Sequence, residues 1–204
     1  MARSHEIQRA ADARRRPRPS VWAAALLMPF ALAGCSPGGQ TSGGSSSGPS
    51  SHDLARFLSS RPATKTATIK LTAADGNANS GYNFDGYANG SLVFTVPVGW
   101  NVKVELTNSG MMPHSAMIIT RQAQKANNVA LPAFPGAETP DPGQGAGMGS
   151  TQDFTFLASK PGVFSIACGV SGHDADGMWD TLIVTQAVKA PTVGMQSKTP
   201  GGGS

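Results

Sequence analysis

From Thr66 onward apolar and polar residues alternate with a period of two, and that rhythm restricts the chain to β-strands. Residues 66–72, 91–96 and 101–107 each present one apolar face and one polar face. Residues 114–120, 153–158, 162–167 and 178–185 continue the pattern, with Gly, Pro and Asn turns between segments. Seven or more short strands with almost no helical signal predict an all-β chain folded as a Greek-key β-sandwich. The one helical expectation is a brief turn over 51–58, before Pro62.

The 204 residues leave room for one ordinary domain plus tails, and the composition shows where the tails lie. Residues 1–34 carry six Arg against Glu6 and Asp12, so the whole formal charge of +4 belongs to them. The remainder is neutral, with ten basic and ten acidic side chains, which argues against a nucleic-acid partner. Arg14-Arg15-Arg16-Pro17-Arg18 followed by an apolar run over 21–34 has the layout of a secretory leader. The run is 14 residues long and interrupted by Pro29, too short to span a bilayer core of about 30 Å. Leu32-Ala33-Gly34-Cys35 resembles a bacterial lipobox, which implies cleavage before Cys35 and a lipid on its sulfur. An ordinary secretory signal with Cys35 beside the cut is the alternative. Residues 35–64 then form a Ser/Gly-rich tether, 65–187 the folded domain, and 188–204 a polar, disordered tail. A Pro/Gly/Ala-rich insertion over 121–150 interrupts the domain, and an insertion that long is usually functional or mobile. Asp75-Gly76-Asn77-Ala78-Asn79 spaces its oxygens like a calcium loop, but Ser80 and Gly86 stand where Gly and Glu are required, so it is read as a turn.

The chemistry concentrates in one Gly-punctuated loop, Cys168-x₄-His173-x₄-Met178, and in His114 of the run Met111-Met112-Pro113-His114. Cys35 and Cys168 are the only cysteines, in contexts too different for a disulfide. Cys168 is then a lone thiol in an exported chain, oxidisable unless it is buried or bound to metal. Two imidazoles, a thiolate and a weak thioether are the donor set of a mononuclear blue-copper site. Sulfur donors suit Cu(I) and imidazoles suit both oxidation states, so geometry changes little as the ion cycles. His114 starts one predicted strand, Cys168 ends another and Met178 starts the next, and a sandwich gathers such strand ends at one pole. Met148, Met111 and Met112 compete with Met178 for the weak axial position.

Tyr82-Asn83-Phe84-Asp85-Gly86, Val96-Pro97-Val98-Gly99-Trp100-Asn101-Val102, Met112-Pro113-His114-Ser115 and Gly177-Met178-Trp179 together resemble the sulfocyanin branch of the cupredoxins, over roughly residues 66–186. The resemblance implies His114, Cys168, His173 and Met178 as ligands of one type 1 copper ion. It also implies a membrane-associated electron carrier, not an enzyme, exchanging electrons with redox proteins such as cytochromes or a terminal oxidase. Some relatives have an uncleaved membrane helix where this chain has a lipobox-like leader. The expected location is therefore the outer face of the cell membrane or the periplasm, anchored at Cys35. Ser115 follows the upstream His, where many cupredoxins carry Asn to tie the ligand loops together; a hydroxyl there is expected to help set the donor strength of the thiolate. Trp100 and Trp179 are read as core aromatics. Met111, Met112, Val170 and Met148 are expected as an apolar collar around the site, with Asp174 and Asp176 as an acidic rim.

Two other functions remain open at this level. The extra Met residues also suit an exported lipoprotein that delivers or stores Cu(I), and a metal-free sandwich acting as a binding or structural lipoprotein is the plainest alternative. A copper oxidase or nitrite reductase would need more His clusters than His114 and His173 provide.

Overall fold

The computed structural model describes residues 51–125 and 131–196. The expected leader, Cys35 and the first part of the tether lie outside them, as do residues 197–204. A short helix α1 (Ser51–Leu54) and a 3₁₀ turn (Ala55–Phe57) lead into β1 (Leu58–Arg61). Then follow β2 (Thr66–Ala73), β3 (Leu92–Pro97), β4 (Asn101–Asn108) and β5 (Met117–Thr120). A single helical turn, α2 (Arg121–Lys125), precedes β6 (Thr151–Leu157), β7 (Gly162–Ala167), β8 (Trp179–Thr185) and β9 (Thr192–Met195).

Two mixed sheets form the sandwich, one in the order β1-β2-β4-β6 and the other β5-β7-β8-β3-β9. β2 runs parallel to β4 and β3 parallel to β8; the remaining pairs are antiparallel. The alternation read from the sequence sets which side chains face inward: in β2, Ala67, Ile69, Leu71 and Ala73 are buried. Val102, Val104, Leu106, Phe154 and Phe156 meet Phe94, Val96, Ile118, Ile166, Leu182 and Val184 across the interior. Burying such side chains contributes about 1.5–3 kcal/mol each, the main drive for closing the two sheets.

The folded region reaches beyond 65–187 at both ends. Leu54 and Phe57 are buried and β1 pairs antiparallel with β2, so the end of the expected tether belongs to the domain. β9 pairs antiparallel with β3, within the segment expected to be a disordered tail. Both are four-residue edge strands without alternate burial, β1 mostly exposed and polar and β9 with only Val193 and Gly194 partly buried; two apolar anchors and backbone pairing hold them. The insertion is also more ordered than its composition implies. It opens with α2, and Phe134 packs between Phe156 and Phe164 with ring centroids 5.1 and 4.8 Å apart. Ala137, Thr139 and Ala146 are buried with it.

Candidate metal centre

His114 sits three residues ahead of β5, where the strand was expected to begin, and is held instead by the insertion. Its N–H donates to the Ala146 carbonyl at 3.1 Å, and the Ala146 N–H donates to the His114 carbonyl at 2.7 Å. Wholly buried Asn108, the last residue of β4, fixes the turn before it. Its Nδ2 donates to the Met112 and Ala146 carbonyls, both at 2.8 Å, and its Oδ1 accepts from the Gly110 N–H at 2.8 Å. Cys168 directly follows β7 and donates its N–H to the Met178 carbonyl at 3.1 Å. The Met178 N–H in turn donates to the His173 carbonyl at 2.9 Å, closing the loop between β7 and β8.

These ties bring the four residues to one buried pole. One ligand atom from each of His114, Cys168 and His173 lies within 4.8 Å of the others. His173 Nδ1 is 3.4 Å from the Cys168 sulfur, and the two imidazole centroids are 5.0 Å apart. Met178, fully buried, joins the set through its backbone bonds to Cys168 and His173. Both ring nitrogens of His114 are buried with no hydrogen-bond partner among the described residues. Leaving such atoms unpaired is costly unless something ligates one of them. A thiolate, two imidazoles and a buried thioether fit copper, and the cluster is typical of a type 1 copper site.

Burial prepares the donors unequally. It pushes the His114 imidazole down to about 4, with the neighbouring His173 adding to the effect, and it also lowers His173. Both rings are therefore neutral at neutral pH, the form that ligates metal. The same burial pushes the Cys168 thiol up, against the N–H groups aimed at it, so a cation must draw off its proton.

Ser115 joins three segments. Its hydroxyl donates to the Pro142 carbonyl of the insertion at 2.7 Å and accepts from the Gly169 N–H at 2.8 Å. The Cys168 sulfur lies 3.7 Å from that hydroxyl and 3.4 Å from the Ser115 N–H. The tie between the two ligand loops thus uses the hydroxyl, while the backbone amide supplies the polar contact to the sulfur.

Of the other expectations near the site, those for the Met residues and Trp100 hold, and those for Asp174 and Trp179 need correction. Met111 and Met148 are 91% and 68% exposed and Met112 also points outward, so Met178 alone of the four candidates is a buried thioether. Asp174 is buried rather than on a rim, leaving Asp176 as the exposed acid. Trp100 is a core aromatic, whereas Trp179 is half-buried on the outer face of its sheet, beneath the Arg121 guanidinium at 4.0 Å. Alternation along β8 accounts for this: Asp180 and Leu182 take the inward positions. Sequence reasoning missed Asn108 and Pro142, whose contributions are hydrogen bonds to or from the backbone, without a periodic signature. It also missed the role of Tyr82, whose ring meets His173 edge-on. A large aromatic inside an Asn/Gly-rich turn was the available signal.

Residues 54–194 match the family described as the sulfocyanin (SoxE) domain. The sulfocyanin of Sulfolobus acidocaldarius is 27% identical over 134 residues, covering 62% of this chain and 67% of that one. Among solved structures, the reduced auracyanin of Roseiflexus castenholzii is 26% identical with a TM-score of 0.45, covering 57% of this chain and 95% of that one. Auracyanin A of Chloroflexus aurantiacus is 23% identical with a TM-score of 0.40, covering 58% and 98% respectively. With the family match spanning most of its length and the blue-copper donor set gathered at one pole, the chain belongs to the sulfocyanin (SoxE) domain family of cupredoxin-like blue copper proteins.

Proposed function

We propose that the chain carries single electrons between redox proteins at the outer face of a membrane, with His114, Cys168, His173 and Met178 as the ligands of one copper ion and a lipid on Cys35 as its anchor. The observation that carries this reading is the buried His114–Cys168–His173 group with Met178 closed against it. Members of this family are typically electron carriers rather than enzymes. Copper held by these donors supplies a Cu(I)/Cu(II) couple that passes one electron at a time. The chain's part is to keep the donors fixed through that cycle, which the Asn108 side chain and the backbone ties among 114, 146, 168, 173 and 178 support. Cytochromes or a terminal oxidase are the proposed partners, and the neutral body of the chain gives nucleic acid no electrostatic footprint. Cu(I) delivery needs accessible, exchangeable donors; Met111 and Met148 are accessible, but the thiol, both imidazoles and Met178 are buried.

The test is to load the protein with copper and record visible absorption and EPR. One copper per chain, with intense thiolate-to-Cu(II) charge transfer that disappears in Cys168→Ser, is the expected result. A colourless loaded protein with its thiol intact excludes the proposal, and retention of Cu(I) affinity by Cys168→Ser turns it toward delivery.

A further inference from the structure

The ligand loop ties down the backbone of His173 with its own bonds, to the Val170 carbonyl at 3.1 Å and from the Met178 N–H at 2.9 Å, but these do not set the plane of the ring. Between Cys168 and Met178 it contains Gly169, Gly172 and Gly177, the last two at φ +85° and +93°, and glycine gives the unrestrained backbone the most freedom. A second loop, residues 74–91 between β2 and β3, supplies no candidate ligand but grips this one at three points. Asn79 Nδ2 donates to the Asp176 carbonyl at 2.7 Å, the Asn89 N–H donates to the Gly177 carbonyl at 2.8 Å, and the Tyr82 ring meets the His173 imidazole edge-on, with centroids 5.0 Å apart at 70°. The gripping loop is itself stiff. Buried Asn83 accepts from the Asp75 and Gly86 N–H groups at 3.1 and 2.9 Å and donates to the Ala78 carbonyl at 2.7 Å. The Asn79 side chain also donates to the Tyr82 carbonyl at 2.7 Å, so one amide joins the aromatic residue's backbone to the ligand loop.

We infer that Tyr82 and Asn79 are positioning residues for His173: the ring fixes the plane of the imidazole and the amide fixes the loop that carries it. The inference rests on the copper reading and deepens it, because an imidazole held from outside its own loop changes place little when the charge at the site changes. Edge-to-face contact is favourable in its own right and leaves the imidazole few alternative orientations.

Three variants of the full chain test it: Tyr82→Phe, Tyr82→Ala and Asn79→Gly. Glycine tolerates the φ of +47° at position 79, so that variant removes the two hydrogen bonds without adding backbone strain. Three quantities are compared with wild type: copper affinity, EPR of the loaded protein, and NMR order parameters of residues 169–177 in metal-free protein. Tyr82→Ala and Asn79→Gly should each lose about 10- to 100-fold in copper affinity, alter the EPR signal and lower the order parameters, while Tyr82→Phe retains all three. Wild-type affinity, spectrum and loop order in both Tyr82→Ala and Asn79→Gly overturn the inference. If wild type itself takes up no copper, the copper reading falls and this inference with it, whereas a blue wild type with unaffected variants removes only the inference.

Discussion

At the scale of single residues, Ser115 separates two roles that the sequence presented as one. Its hydroxyl proton goes to the Pro142 carbonyl and one of its lone pairs to the Gly169 N–H, and its amide is the group nearer the thiol. Ser115→Ala therefore keeps the amide contact to sulfur but leaves a part-buried carbonyl and a buried N–H without their partner. The expected loss is about 1–3 kcal/mol of stability, read by denaturant unfolding, with little change in the charge-transfer band of the loaded protein. A marked shift of that band at wild-type stability would assign the hydroxyl to tuning the sulfur instead. His114, Cys168 and Met178 were legible in sequence as chemically distinctive side chains at or near the ends of recognisable strands, and His173 by its place in the Gly-punctuated loop between two of them. The resemblance favours Met178 over Met148, and burial supports that choice: one thioether is fully enclosed and the other faces solvent.

At the scale of elements, legibility followed the hydrophobic rhythm. β2, β3, β4, β6, β7 and β8 emerge close to their expected places because each buries alternate side chains in the common core. β1, β9 and the ordered path of the insertion were not legible because backbone hydrogen bonds and a few anchors hold them. Gly145 makes the point for the insertion. It lies at φ +70°, and a Cβ there would come within 2.9 Å of the His114 backbone nitrogen and of Val170 Cγ2. The insertion thus packs directly on the backbone that presents His114, which gives the 121–150 segment a structural part in the site. Gly145→Ala adds left-handed strain of about 1–3 kcal/mol and forces that contact apart. Its denaturation midpoint should fall and its copper affinity with it, whereas Gly143→Ala, with open space around its Cα, leaves both unchanged.

At the scale of the whole molecule, proton linkage ties stability to pH through groups of opposite sense. Asp85 is buried; its Oδ1 accepts from the Thr72 N–H at 2.8 Å, and its Oδ2 is without a hydrogen-bond partner among the described residues. Burial raises it from 3.8 to about 7, partly offset by the Thr72 hydrogen bonds, with Asp75 raising it further and Arg56 lowering it. Between those pH values the folded chain holds a proton that the unfolded chain releases, so this contribution is complete below about pH 4 and lost as pH rises through about 7. At ~1.4 kcal/mol per pH unit the shift corresponds to on the order of 4 kcal/mol. Asp180, whose buried carboxyl is also raised, acts in the same direction. His114 acts in the opposite one: its imidazole is lowered to about 4, so the unfolded chain gains a proton first as pH falls below the ordinary histidine range. The pH profile of wild type alone therefore mixes the two, and the Asp85 contribution is read as a difference. In metal-free protein, Asp85→Asn should match wild type near pH 4, retain the bond from Thr72, and become progressively more stable than wild type as pH approaches 7. Urea unfolding of both proteins at a series of pH values measures that gap. A gap that stays constant from pH 4 to 7 would mean that Asp85 carries the same charge in the folded and unfolded chain.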